Sequence, residues 1–108
     1  MAKGPAIKVK DEVFPVNKLT NTVGRHDRLT DYKPDVDLAD VDNERGVSRK
    51  HAELTPCPEG VWVRDLRSRN GTFINDDKVP NGQAYLIDTE VRVRFGPYCV
   101  VQLKIKTR

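Results

Sequence analysis

Apolar residues in this chain alternate with polar ones and do not recur at the three-and-four spacing of a helix. From Glu90 to Phe95 and from Cys99 to Lys106 every second side chain is apolar, the period of a strand with one buried face. Val61 to Leu66 is equally short and rich in β-branched residues. The same reading predicts strands at Lys8 to Val16, Thr22 to Arg25, Val36 to Ala39, His51 to Thr55, Thr72 to Ile74 and Ala84 to Leu86. Turn residues separate these runs: Pro56 to Gly60 (with Cys57 inside that turn), Asn70-Gly71, Asn81-Gly82 and Gly96-Pro97. Many short strands punctuated in this way indicate an all-β fold, an antiparallel sandwich or barrel. Trp62 falls on one of these strands and reads as a packing residue, not as a platform for a ligand.

Length and composition narrow the class. The chain has 108 residues, enough for one core, so residues 1–108 are expected to form a single domain with a frayed start. No apolar run approaches the ~20 residues that cross a bilayer, and the first residues carry no apolar signal segment. The expectation is therefore a protein without membrane contact, cytoplasmic, or nuclear in a eukaryote. Cys57 and Cys99 belong to no Cys-x-x-Cys pair and are expected to be free thiols, with no metal site.

Charge changes the picture through its placement. Nineteen basic and 16 acidic residues give a net charge of only +3. Arg25, Arg28, Arg49, Lys50, Arg67 and Arg69, however, cluster in turn-rich stretches, which makes the loops a candidate anion site. The acidic stretch Asp35, Asp37, Asp40, Asp42, Glu44 lacks the glycine and glutamate spacing of a calcium loop and reads as a solvated segment that repels acidic peptide flanks.

Four short pieces occur in order along the loops: Gly24-Arg25; Ser48-Arg49-Lys50-His51; Asp65-Leu66; and Ser68-Arg69-Asn70-Gly71-Thr72-Phe73-Ile74-Asn75. Gly-Arg, Ser-x-x-His and Asn-Gly-Thr-x-x-Asn in this register make residues 13 to 105 closely resemble the forkhead-associated (FHA) domain family. The resemblance implies a sandwich of two twisted β-sheets whose loops at one end bind phosphothreonine in an extended peptide, with no cofactor and no catalysis. An arginine fork and a serine hydroxyl suit phosphate oxygens. By similarity Arg25 and Ser48 are expected to contact the phosphate with their polar heads free before ligand arrives, and Arg49 to contact phosphate or peptide backbone. Lys50 is expected to assist at the peptide, and Asn70, which can donate and accept at once, to grip its backbone. Gly24, His51, Gly71 and Asn75 are expected to support the loops. Arg69 stands where many members carry Thr or Ser; the residue itself leaves open a charged replacement for that hydroxyl or a side chain turned to solvent.

Other chemistries fit less well. Ser48, His51 and Asp65 are the residue types of a hydrolase triad, yet no Gly-x-Ser-x-Gly elbow accompanies them. Both nucleotide fingerprints, GxGxxG and GxxxxGK[ST], are absent. Asn70-Gly71-Thr72 is formally a glycosylation sequon, idle without secretion. Basic loops keep a nucleic-acid-binding β domain as the alternative, but three Phe, three Tyr and one Trp offer few stacking platforms. The sequence thus points to a monomeric phosphothreonine reader downstream of a Ser/Thr kinase, without nucleic acid as its partner.

Overall fold

The structure, a computed structural model, describes residues 4–41 and 46–105. Asp42, Glu44, Lys106 and the first three residues, including the expected frayed start, lie outside the described residues. Eleven strands follow one another: β1 (Ala6–Val9), β2 (Glu12–Pro15), β3 (Asn21–Gly24), β4 (Val36–Asp37), β5 (Lys50–Cys57), β6 (Gly60–Asp65), β7 (Thr72–Ile74), β8 (Asp77–Lys78), β9 (Ala84–Ile87), β10 (Val91–Phe95) and β11 (Cys99–Lys104). They form two sheets, ordered β2-β1-β11-β10-β7-β8 and β4-β3-β5-β6-β9. The alternation read from the sequence becomes the sandwich: Val61 and Val63 of β6 with Leu54 and Ala52 of β5 point inward and meet Val93, Phe95, Val101 and Leu103 of the other sheet. The intervening Trp62 and Arg64 face outward, and Trp62 stays 40% exposed.

Two expectations need correction, and two details went unforeseen. Lys8 to Val16 is a hairpin and not one strand, because Lys10 takes a left-handed φ of 53° and turns the chain so that Val9 opposes Glu12. Pro56 and Cys57 end β5 and do not form the turn, which is left to Pro58 and Glu59. Pro56 is tolerated there because β5 outruns β3 at Leu54, so no neighbour needs its missing N–H. The pairing is not purely antiparallel: β3 and β4 run parallel, Val23 beside Val36. Finally, β8 was too short and too polar to show in the hydrophobic pattern. Neither cysteine is in a disulfide among the described residues; Cys99 is buried and Cys57 partly so. Among the described residues no helix is long and apolar enough to cross a membrane.

The connections after β3, before β5, after β6 and after β10 gather at one end. Backbone contacts tie them: Gly96 N–H donates to Gly71 O at 2.9 Å, and Leu38 N–H donates to Gly24 O at 2.8 Å.

Candidate functional site

Arg25 follows β3 at a point where the backbone comes unusually close to the next loop. A methyl group on Gly24 would lie 1.8 Å from Arg49 O, so only glycine lets β3 run this near. The contact lets Arg25 bond on both sides of Ser48. Its N–H donates to Arg49 O at 3.3 Å, and its Nε donates to Val47 O at 2.8 Å. The two terminal nitrogens of Arg25 make no hydrogen bond among the described residues. Its head is therefore only partly free, a correction to the expectation above: Nε is committed to positioning, while the outer fork remains open.

Ser48 is likewise engaged. Its Oγ accepts the Arg69 N–H at 3.0 Å, leaving the hydroxyl proton as a donor and tying the Ser48 loop to the loop that carries Asn70. Asn70 donates through Nδ2 to Gly46 O at 3.0 Å, so its exposed amide is held in place with the carbonyl oxygen still available. Arg69 is exposed, and its side chain makes no hydrogen bond among the described residues.

Arg49, expected to contact phosphate or peptide backbone, is paired within the loops. Its Nη1 pairs with Asp27 Oδ2 at 2.7 Å, while the side chain keeps 57% of its surface in solvent. Arg49 and the Thr30 hydroxyl beside Asp27 hold that carboxyl below its ordinary value. Lys50 stands with its ammonium 5.5 Å from the Tyr32 ring centre. Thr30, Tyr32, Ser48, Arg49 and Lys50 together line a depression of about 590 Å³.

Beneath these tips lies a buried polar frame. His51 is fully buried; its Nδ1 accepts the Ser48 N–H at 3.0 Å, and its Nε2–H donates to Gly71 O at 2.8 Å. The two partners fix the tautomer, and the ring sits edge-on to Phe95 at 5.4 Å. Both ring nitrogens are thus spent on backbone, and neither reaches Ser48 Oγ or Asp65, so the three do not form a hydrolase relay. Gly71 takes φ 90°, which brings its carbonyl to both His51 and Gly96. Asn75, at φ 48°, accepts the Arg92 N–H through Oδ1 at 3.2 Å and braces the turn after β7 against β10.

Sequence reasoning missed the hub of this frame. Asp65, fully buried, accepts from Ser68 Oγ at 2.5 Å, from Ser68 N–H at 3.2 Å and from Thr72 Oγ1 at 2.8 Å. Ser68 Oγ in turn accepts the Gly71 N–H at 3.0 Å. The signal was present: an Asp ending a strand with Ser three residues on is the pattern of a side-chain-closed turn.

Residues 21–96 match the sequence profile of the FHA domain. The chain belongs to the FHA domain family. Nibrin of Danio rerio is 34% identical to it over 56 residues, 52% of this chain and 7% of nibrin. The chain thus spans a small fraction of this larger relative. Among solved structures, EmbR of Mycobacterium tuberculosis in complex with a low-affinity phosphopeptide superposes with a TM-score of 0.79 at 18% identity, over 98% of this chain and 25% of that one. The MEK1 FHA domain in complex with a HOP1 phosphothreonine peptide superposes with a TM-score of 0.75 at 18% identity, over 95% of this chain and 97% of that one. At such identities the superpositions establish the FHA fold alone.

Proposed function

We propose that the chain is a single FHA module that binds a phosphothreonine peptide, made by a Ser/Thr kinase, and that it acts as a monomer without catalysis or cofactor. The observation that carries this reading is the double anchoring of Arg25 on either side of Ser48, which sets an open guanidinium fork next to a hydroxyl proton. Charge-assisted bonds from such a pair are roughly twice as strong as neutral ones. Asn70 would hold the peptide backbone, and Lys50 and Arg69 would add positive potential around it. Arg49 would serve the phosphate only through the donors that Asp27 leaves free. FHA relatives solved with phosphopeptides support the assignment by fold.

The test is a calorimetric titration with one peptide in threonine, phosphothreonine and phosphoserine forms, and with an oligonucleotide across a salt series. The expected result is micromolar binding, about −8 kcal/mol, of the phosphothreonine form and no detectable binding of the plain threonine form. Phosphoserine should bind several-fold more weakly, because one buried methyl is worth about 0.8 kcal/mol or more. Equal binding of phosphorylated and plain peptide would overturn the reading. Oligonucleotide binding that collapses steeply with salt would replace it with nucleic-acid recognition.

A further inference from the structure

The outward row of the six-stranded sheet holds a second cationic feature next to the proposed peptide groove. In this row Arg94 of β10 opposes Phe73 of β7, and Phe73 opposes Lys78 of β8. The Arg94 guanidinium carbon lies 4.0 Å from the Phe73 ring centre, and Nη1 donates to Gly96 O at 3.1 Å, so the charge is held over the ring. The other end of the row reaches the peptide loop: a methyl group on Gly71 would come within 3.2 Å of both Lys78 Cε and Phe73 Cε1. Lys78 therefore lies beside the backbone of Asn70-Gly71, the segment assigned above to grip the peptide.

Neither cation has a carboxylate partner among the described residues. In the same sheet Arg92 is near Asp76 at 3.9 Å and Lys104 is near Glu90 at 3.7 Å. Two unneutralised cations around one aromatic ring, one fixed by a backbone carbonyl and the other on a mobile stem, are complementary to an anionic side chain brought to them on an extended chain. The acidic stretch that was expected to repel acidic flanks begins on the other sheet, at Asp35 and Asp37, and both those carboxylates are occupied by Lys18 and His26.

We propose that Lys78 and Arg94, spaced by Phe73, form a subsite for an acidic residue flanking the phosphothreonine, so that this domain prefers peptides with a carboxylate or second phosphate on one side. The inference rests on the phosphothreonine reading. Its test uses one phosphothreonine peptide with alanines on both flanks and two variants with paired glutamates, before or after the phosphothreonine. A fourth peptide has a second phosphothreonine in place of the glutamates. All are titrated into the wild-type domain, Lys78→Ala and the double variant Lys78→Ala, Arg94→Gln.

One glutamate peptide should bind the wild type about threefold to tenfold better than the alanine peptide at low salt, as two partly exposed ion pairs would give. The doubly phosphorylated peptide should gain at least as much. Lys78→Ala should remove part of the gain and the double variant all of it, with affinity for the alanine peptide unchanged within about twofold and a melting curve that shows a folded protein. If the double variant melts early, Lys78→Ala alone carries the test, because its exposed side chain supports no core contact. No gain on either flank, or a gain that survives Lys78→Ala undiminished, would overturn the subsite while leaving the phosphothreonine reading intact. Failure of the alanine phosphopeptide itself to bind would overturn both.

Discussion

The loop end of the sandwich has two storeys, both built from polar residues and put to opposite uses. In the lower one, His51, Asp65 and Thr72 are buried, and their side-chain bonds run to one another, to Ser68 or to backbone. In the upper one, Arg25, Ser48 and Asn70 each commit part of a polar side chain to being positioned, Arg69 is held by its N–H, and all four keep polar atoms for a partner. The difference teaches that polarity alone does not mark a binding residue. A buried polar group must be satisfied internally or it destabilises the fold, whereas a half-buried one can be tethered on one side and offered on the other.

Variants that separate the two storeys should rank by where they strike. Arg25→Ala should have the largest effect on binding, about 2 to 5 kcal/mol, by removing the charged partner of a phosphate held close to the surface. It should cost folding only about 1 kcal/mol, the worth of the Val47 bond. Titration and thermal melts of the same variant check the pair of values; a large loss of stability with binding intact would merge the storeys.

His51→Ala should act the other way. Ser48 N–H would lose its partner and Gly71 O one of its two, at about 1 to 3 kcal/mol in all, and the melting temperature should fall while binding weakens only because the loops loosen. A stable His51→Ala that cannot bind would make the histidine a contact residue. Asp65→Asn should cost about 1.5 to 3 kcal/mol, read by chemical denaturation, because an amide oxygen accepts from Ser68 and Thr72 more weakly than a carboxylate does. Ser48→Ala should shift stability by less than about 1 kcal/mol and weaken binding measurably.

The smallest effect expected is on acid stability. Burial, the largest single influence on Asp37, acts to raise its carboxyl, but bonds from Ala39 N–H and from the ring and N–H of His26 together hold it below the ordinary 3.8. Lys18 and the Thr22 N–H lower Asp35 in the same direction. A carboxyl depressed on folding adds stability that is complete above its unfolded value and is lost as the pH falls through the lower folded value. Denaturation midpoints should therefore hold steady down to about pH 4 and decline below it. In Asp37→Asn that decline should be shallower.

The sandwich was legible because its two best strands, β10 and β11, put an apolar residue at every second position, and because glycine and asparagine mark the turns at Asn81-Gly82 and Gly96. The hairpin at Lys10 was not, since neither Lys nor Asp11 advertises a left-handed turn. Around the site, the short motifs showed which loops carry the chemistry, but not which atoms are already taken. That Arg49 faces Asp27, 22 residues away, depends on how the loops cross. Spacing along the chain does not contain that information.

The most direct test of the two-storey account is a map of backbone amide chemical shifts during titration with a phosphothreonine peptide. The account expects the largest changes at Arg25, Ser48, Arg49, Arg69 and Asn70, with the buried His51 and Asp65 moving little and the outward face around Trp62 unaffected. Changes centred on Trp62 and its sheet, with the Arg25 and Ser48 amides still, would contradict it.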